Sequence, residues 1–213
     1  MVTIKKGKEP QAWVEKRNTP GFTQFESSEE LKQSLLEEQG YICAYCMRRL
    51  PADDPNTDAT SKVEHIKPRS KYPDLQFDYK NLVICCPGNL ECQPHCDNCK
   101  GDGSVSFDLF NPQLEDSITY LTFDGTIKSN NGTWDQEINL VLNLNHPTLK
   151  ANRKEKLTGV ITVLNSLHKD SASWSSKAIQ AELRRCQNRD RSGKRQPFAG
   201  IVIAFLKKRL TAK

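Results

Sequence analysis

The chain has 213 residues, 36% of them hydrophobic and 27% charged, which allows one domain, or one with an appendage, around a core of its own. With a mean hydropathy of -0.67 and no apolar run near the ~20 residues that span a bilayer, the sequence excludes a membrane protein. The basic N-terminus, MVTIKKGKEPQAW, has no apolar signal core, so the expected location is cytoplasmic. The net charge of +5 conceals an asymmetry: residues 150–213 carry 16 basic against 4 acidic side chains, residues 1–149 carry 15 against 22. Such a split points to contact with nucleic acid or an acidic protein surface.

In chain order, residues 1 to about 24 are polar and contain Pro10, Pro20 and Gly21, an arm with little regular structure in which only Trp13 is expected to dock. SSEELKQSLLEEQG (27–40) predicts a helix. Ser27 or Ser28 can cap it, Glu29 and Glu30 suit the positive end of the dipole, Leu31, Leu35 and Leu36 share a stripe, and Gly40 can end it. Strands are expected over Lys62–Ile66 and over NLVICC (81–86), separated by a Pro-containing loop. The Cys-rich stretch that follows, to Gly103, reads as turns. SITYLTFDGTIKS alternates β-branched and aromatic residues around Asp124-Gly125, a hairpin signal. WDQEINLVLNLNHPTL predicts a helix ending before Pro147, and the remainder is mostly helical. In its last helix Pro197 is expected in the first turn, with Phe198, Ile201, Val202 and Phe205 on an apolar face.

The 8 cysteines call for metal ligation rather than disulfides in a reducing compartment. Cys43-Ala-Tyr-Cys46 is a C-x-x-C knuckle, half of a tetrahedral zinc site. Cys85, Cys86, Cys92, His95, Cys96 and Cys99 are the candidates for the other half. At Glu64-His65, Pro68 marks the end of a strand, where adjacent side chains can be re-aimed to one side. A carboxylate that binds a hard cation would then leave the neighbouring imidazole placed to take a proton from a water. The bland alternative is a hydrogen-bonded histidine at a strand end. His146 reads as turn or capping chemistry, His168 as a helix-end residue and Cys186 as helical packing. The basic run Arg184–Arg195 could meet phosphates, an acidic partner or only solvent.

Taken in order, Cys43-x-x-Cys46, Val63-Glu64-His65-Ile66-x-Pro68, Asn81-Leu82-Val83-Ile84-Cys85-Cys86 and Cys96-Asp97-Asn98-Cys99-Lys100 resemble the HNH endonuclease family in its zinc-stabilised form. The resemblance implies an α+β fold, a zinc-clamped ββα-metal (HNH) finger embedded in a mainly helical chain. It implies an N-terminal arm over 1–26, the nuclease core with structural zinc over 27–110, and a hairpin plus basic helical region over 111–213. It makes His65 the general base and Glu64 a ligand of the catalytic cation, Mg²⁺ or Mn²⁺. Asn81 takes the central position, holding the loop that orients His65, and a backbone carbonyl near it would fix the imidazole tautomer. The structural Zn²⁺ ligands implied are Cys43, Cys46, Cys86 and Cys96. Lys67, Arg69, Lys71 and Lys100 surround this site in sequence and could hold backbone phosphates, with Lys67 and Lys71 alternatively solvated loop charges.

The chain departs from the family by inserting PGNLECQPH between Cys86 and Cys96, and by placing Asp97, with Asn98 next, where His or Asn is usual; Lys100 keeps its spacing. Either Asp97 or Asn98 could supply the second oxygen to the catalytic ion, and Cys92, His95 and Cys99 stay open as substitute zinc ligands. These departures, with EEQGYICAYC, VEHIKPRSKYP, HCDNCKGD, LNLNHPTLKANR and GIVIAFLKKRL, resemble the PtuB-like nucleases of retron and Septu anti-phage systems. That branch implies DNA as substrate, a PtuA-like ATPase partner, and in a retron a reverse transcriptase with its nucleic acid. Two readings compete: a non-catalytic zinc module that binds DNA or a protein, and a zinc-ribbon regulator whose basic C-terminal third reads nucleic acid.

Overall fold

The computed structural model describes residues 1–51, 60–90, 93–167 and 174–211; Cys92 and His168 lie outside them. Among the described residues no helix is long and apolar enough to cross a membrane.

The N-terminal arm differs from its sequence expectation by forming a helix, α1 (Gln11–Arg17), which starts at Pro10 and ends in Lys16 and Arg17. Its order comes from tertiary contact. Trp13 is fully buried, edge-on to Phe22 and tilted against Phe25, with its indole N–H donating to the Phe77 carbonyl at 3.3 Å. Helix α2 (Glu29–Gln39) forms as its local signals require: Ser28 accepts from the Leu31 N–H, Glu29 and Glu30 fill the first turn, and Gly40 closes it at φ 66°. Gln39, at its end and almost fully buried, donates to the Ile42 and Ile84 carbonyls and accepts from the Ile84 N–H at 2.9, 2.7 and 2.8 Å. One amide thereby ties the helix to the cysteine knuckle and to the second strand.

Strands β1 (Lys62–His65) and β2 (Leu82–Cys85) pair antiparallel, with Glu64 opposite Val83 and His65 opposite Leu82. The knuckle packs on β2 through a bond from the Ala44 N–H to the Ile84 carbonyl at 3.1 Å. After β2 the inserted segment is not the set of turns expected. It is a small hairpin, β3 (Asn89–Leu90) against β4 (Gln93–Pro94), followed by the short helix α3 (Cys96–Lys100). Gly88 is what permits the fold-back. At φ 79° its backbone runs so close to His95 that an added Cβ would stand 1.7 Å from the His95 carbonyl oxygen, a contact only glycine survives.

Helix α4 (Pro112–Ser117) leads into the antiparallel hairpin β5 (Ile118–Leu121) and β6 (Thr126–Ser129). Helix α5 (Gly132–Gln136) runs into a π-helical turn (Glu137–Val141) and stops there, earlier than the expected end before Pro147. Asn143, at φ 46°, breaks it, and the Asn145 amide bonds both backbone groups of Ile127 at 2.9 Å. The same stretch receives Arg153, buried, from α6 (Pro147–Leu167): its guanidinium donates to the Gly125 and Leu144 carbonyls at 2.6 and 2.7 Å. LNLNHPTLKANR is thus a clamp on the hairpin.

Helices α7 (Ser176–Gln187) and α8 (Ala199–Thr211) complete the chain. Pro197 precedes α8 rather than occupying its first turn. Phe198, at φ 53°, turns the chain and donates its N–H to the Met47 carbonyl. Two cores result: one joins the arm, α2, the finger and the β5–β6 hairpin, the other packs α6, α7 and α8 under Val2, Ile42 and Met47. The basic run between α7 and α8 is partly structural, since Arg189 donates to the Glu37 and Glu38 carbonyls at the negative end of α2.

Candidate active site and metal centre

Two clusters of buried polar groups lie on the finger. In the first, the knuckle supplies Cys43 and Cys46, the residue just after β2 is Cys86, and the first residue of α3 is Cys96. Their four sulfurs lie within 4.8 Å of one another, all buried. Cys43 Sγ is 3.9 Å from Cys96 Sγ, and Cys46 Sγ is 3.7 Å from Cys86 Sγ. Four sulfurs at about 2.3 Å from a zinc ion form a tetrahedron with edges of about 3.8 Å, so the spacing suits that ion. The electrostatics agree. Burial opposes ionisation of Cys43, yet the surrounding thiols, led by Cys46, hydrogen-bond its sulfur and hold its pKa well below the usual thiol range. Cys96 is pushed well up, by burial first and then by its bonds to the other thiols. A shared negative charge enclosed by sulfur is a donor set for a cation such as zinc. Cys85 and Cys99 stand outside this set of four, as does His95, whose Nδ1 instead lies 3.1 Å from Cys96 Sγ.

The second cluster sits where β1 ends against α3. Glu64 is buried, and its Oε1 receives the Lys100 ammonium at 2.7 Å and the Tyr45 hydroxyl at 3.2 Å. Asp97, from the first turn of α3, lies near enough to act on the Glu64 carboxyl and stays partly open, with Lys62 at 3.7 Å. Burial pushes Glu64 up to about 8, against the pull of Lys100 and with a further push from Asp97. Two neighbouring carboxyl groups, one buried and one half-open, are a fitting hard-oxygen donor set for a divalent cation. Of the two neighbours left open by the sequence, Asp97 faces Glu64, whereas the exposed Asn98 turns away to bond Asn89.

His65 is also buried. Its Nε2 is 2.9 Å from the Gln76 carbonyl oxygen, and since a carbonyl can only accept, Nε2 carries the proton and Nδ1 keeps a free lone pair. Burial lowers its pKa to about 4, with the Gln76 carbonyl acting the other way and Arg69 and Lys100 adding to the fall. The imidazole is therefore neutral across physiological pH, a proton acceptor in waiting. Asn81 spans the loop between the strands: its Oδ1 accepts from the Lys67 N–H at 2.8 Å, and its amide donates to the Lys67 and Leu75 carbonyls at 3.0 and 3.1 Å. That clamp sets where Gln76 presents its carbonyl.

Lys100 does not stand where a phosphate could reach it. It is buried, donating to the His65 carbonyl at 2.9 Å as well as to Glu64. Arg69 and Lys71 are exposed, and Lys67 is half-buried, bonding the Val105 carbonyl at 3.4 Å.

Three groups were not singled out from sequence. Tyr45, inside the knuckle itself, carries a hydroxyl from the thiol cluster to Glu64; an aromatic hydroxyl between two metal-spaced cysteines was the available signal. Gln76 contributes only backbone, which no residue type announces. Phe25, from the arm, stands edge-on to His65 with ring centroids 4.5 Å apart, and nothing local links the two.

No family model matches the chain. Over 160 residues, 71% of this chain and 75% of the relative, it is 26% identical to a protein of Vibrio cholerae serotype O1 biovar El Tor named "Retron Vc95 putative HNH endonuclease". That likeness is to a protein named as a retron HNH endonuclease, and it supports the HNH resemblance read from the sequence.

Proposed function

We propose that this protein is a metal-dependent HNH endonuclease that hydrolyses DNA phosphodiesters, acting as the effector of an anti-phage complex of the PtuB-like branch with a PtuA-like ATPase. The observation that carries this reading is the free Nδ1 of His65, neutral and held by the Gln76 carbonyl, beside the paired carboxyls of Glu64 and Asp97. Glu64 and Asp97 would hold the catalytic Mg²⁺ or Mn²⁺, which as a Lewis acid would offset negative charge on the phosphate. His65 takes a proton from the attacking water; the new P–O bond forms as the bond to the 3′ oxygen breaks, leaving a 5′-phosphate and a 3′-oxyanion that takes a proton from solvent to become the 3′-hydroxyl. Asn81 and Gln76 keep the imidazole aimed, and Lys100 fixes Glu64 against the His65 backbone. Arg69 and Lys71, exposed beside the site, meet backbone phosphates without base selection. Cys43, Cys46, Cys86 and Cys96 hold a structural Zn²⁺ that pins β2, the knuckle and α3 together.

The test is cleavage of plasmid DNA with Mg²⁺ by the native chain and by His65→Ala, each with and without a PtuA-like ATPase. Loss of cleavage in the variant is expected. Equal cleavage by both would remove the catalytic assignment, and no cleavage by the native chain under any of these conditions would favour the non-catalytic zinc module.

A further inference from the structure

His95 and His146 are both buried, and the Nε2 of each has no hydrogen-bond partner among the described residues. An orphaned imidazole nitrogen in an apolar interior is costly, and here two of them come from rings whose centroids are 5.8 Å apart. The chemistry of their other nitrogens makes the orphans complementary. The Thr148 backbone N–H, in the first turn of α6, donates to His146 Nδ1 at 3.2 Å, so that nitrogen is bare and the proton of a neutral ring must sit on Nε2. His95 Nδ1 is 3.1 Å from Cys96 Sγ. A metal-bound cysteine sulfur is a thiolate and can only accept, so Nδ1 of His95 carries the proton and its Nε2 is bare. One orphan is a donor and the other an acceptor.

We propose that His95 and His146 form a buried hydrogen-bond relay from the Thr148 N–H through both imidazoles to the Cys96 sulfur, through one water between the two Nε2 atoms, and that it positions Cys96 in the metal centre. A metal ion bridging the two Nε2 atoms is excluded, because the Thr148 N–H leaves His146 no second nitrogen for its proton. The surroundings are built to hold this geometry. The Cys96 N–H donates to the Leu142 carbonyl at 2.9 Å, and the Asn143 amide donates to the Pro94 carbonyl at 2.9 Å. The segment just before His146 thus grips both sides of His95. Cys96 itself sits at φ 51°, a left-handed conformation that a non-glycine residue holds only under tertiary constraint. A hydrogen bond donated to one thiolate draws charge from it, and outer contacts of this kind typically change metal affinity about 10- to 100-fold. His95 and His146 are positioning residues, through which the hairpin clamp and α6 act on the metal centre.

The inference rests on the four-thiolate reading and is independent of nuclease activity. In the zinc-loaded full chain, long-range ¹H–¹⁵N correlation spectra should show His95 as the Nδ1–H tautomer and His146 as the Nε2–H tautomer; the opposite tautomer at either ring overturns the relay. His146→Phe keeps a ring and removes the donor, and zinc transfer to a chromogenic chelator should quicken about 10-fold. His146→Gln, whose Nε2 can replace the lost N–H, should restore the native rate; unchanged release in His146→Phe would overturn the proposal. A purified chain that binds no zinc sinks the thiolate reading and the relay with it, whereas wrong tautomers in a zinc-loaded chain sink the relay alone.

Discussion

The thiol cluster and the carboxylate–imidazole cluster share one small finger and are joined by Tyr45, yet they are opposites in construction. The four sulfurs are buried and held close to one another, with the His95 imidazole against Cys96. Glu64, His65 and Asp97 keep an edge to solvent, an unused nitrogen and a half-open carboxylate. A site that holds the fold together excludes water, whereas one that does chemistry must admit substrate, as closed structural and open catalytic zinc sites already illustrate. The open cluster is affordable because the closed one pins its parts.

The largest effect expected from breaking the contrast is on the closed side. Stripping the metal with a strong chelator, or Cys96→Ser, should unfold the finger, seen as loss of the cooperative thermal transition; structural zinc sites supply on the order of 10 kcal/mol of folding free energy. His65→Ala, on the open side, should leave the fold intact by circular dichroism while cleavage falls about 10²- to 10⁴-fold.

Lys100→Met should cost about 2 kcal/mol in chemical denaturation, because Glu64 Oε1 and the His65 carbonyl, both buried, lose the donor they share. Next comes pH. Glu64 is raised from 4.5 to about 8 and His65 lowered from 6.5 to about 4. Between about 4.5 and 6.5 the folded state holds one extra proton at Glu64 and lacks one at His65, so their contributions to the pH slope cancel. From about 6.5 to 8 only Glu64 counts, and stability falls with rising pH by about 2 kcal/mol in all. Glu64→Gln should abolish that fall, and Mg²⁺ should flatten it by replacing the proton; an unchanged slope in the variant would assign the effect elsewhere. The smallest effect is Tyr45→Phe, which removes the hydroxyl's bond to Glu64 and should cost about 1 kcal/mol of stability, with the metal content of the cysteine site unchanged by elemental analysis.

Much of the finger was legible because its signals are local. The knuckle spacing, the Ser28 cap, the Gly40 stop and the β-branched run into Cys86 each act over a few residues. The arm is not legible as a helix because α1 is ordered by Trp13 burying its ring against Phe22 and Phe25, contacts that local sequence does not encode. The inserted segment was misread for a related reason: two-residue strands have no periodicity, and the determinant is the close approach of Gly88 to His95. Lys100 looked like a phosphate contact because lysine is usually exposed, and only the buried partners Glu64 and the His65 carbonyl explain its place.

The amino-acid order by itself determined the residue types of both clusters and the strand pair that carries Glu64 and His65, because metal-ligand spacing and β-propensity are short-range properties. Which of Asp97 and Asn98 faces the carboxylate, which nitrogen of His65 is free, and that Tyr45 and Phe25 border the site were decided only by tertiary structure. Side-chain direction at the start of a short helix, and the carbonyl that selects a tautomer, depend on atoms brought together from distant parts of the chain.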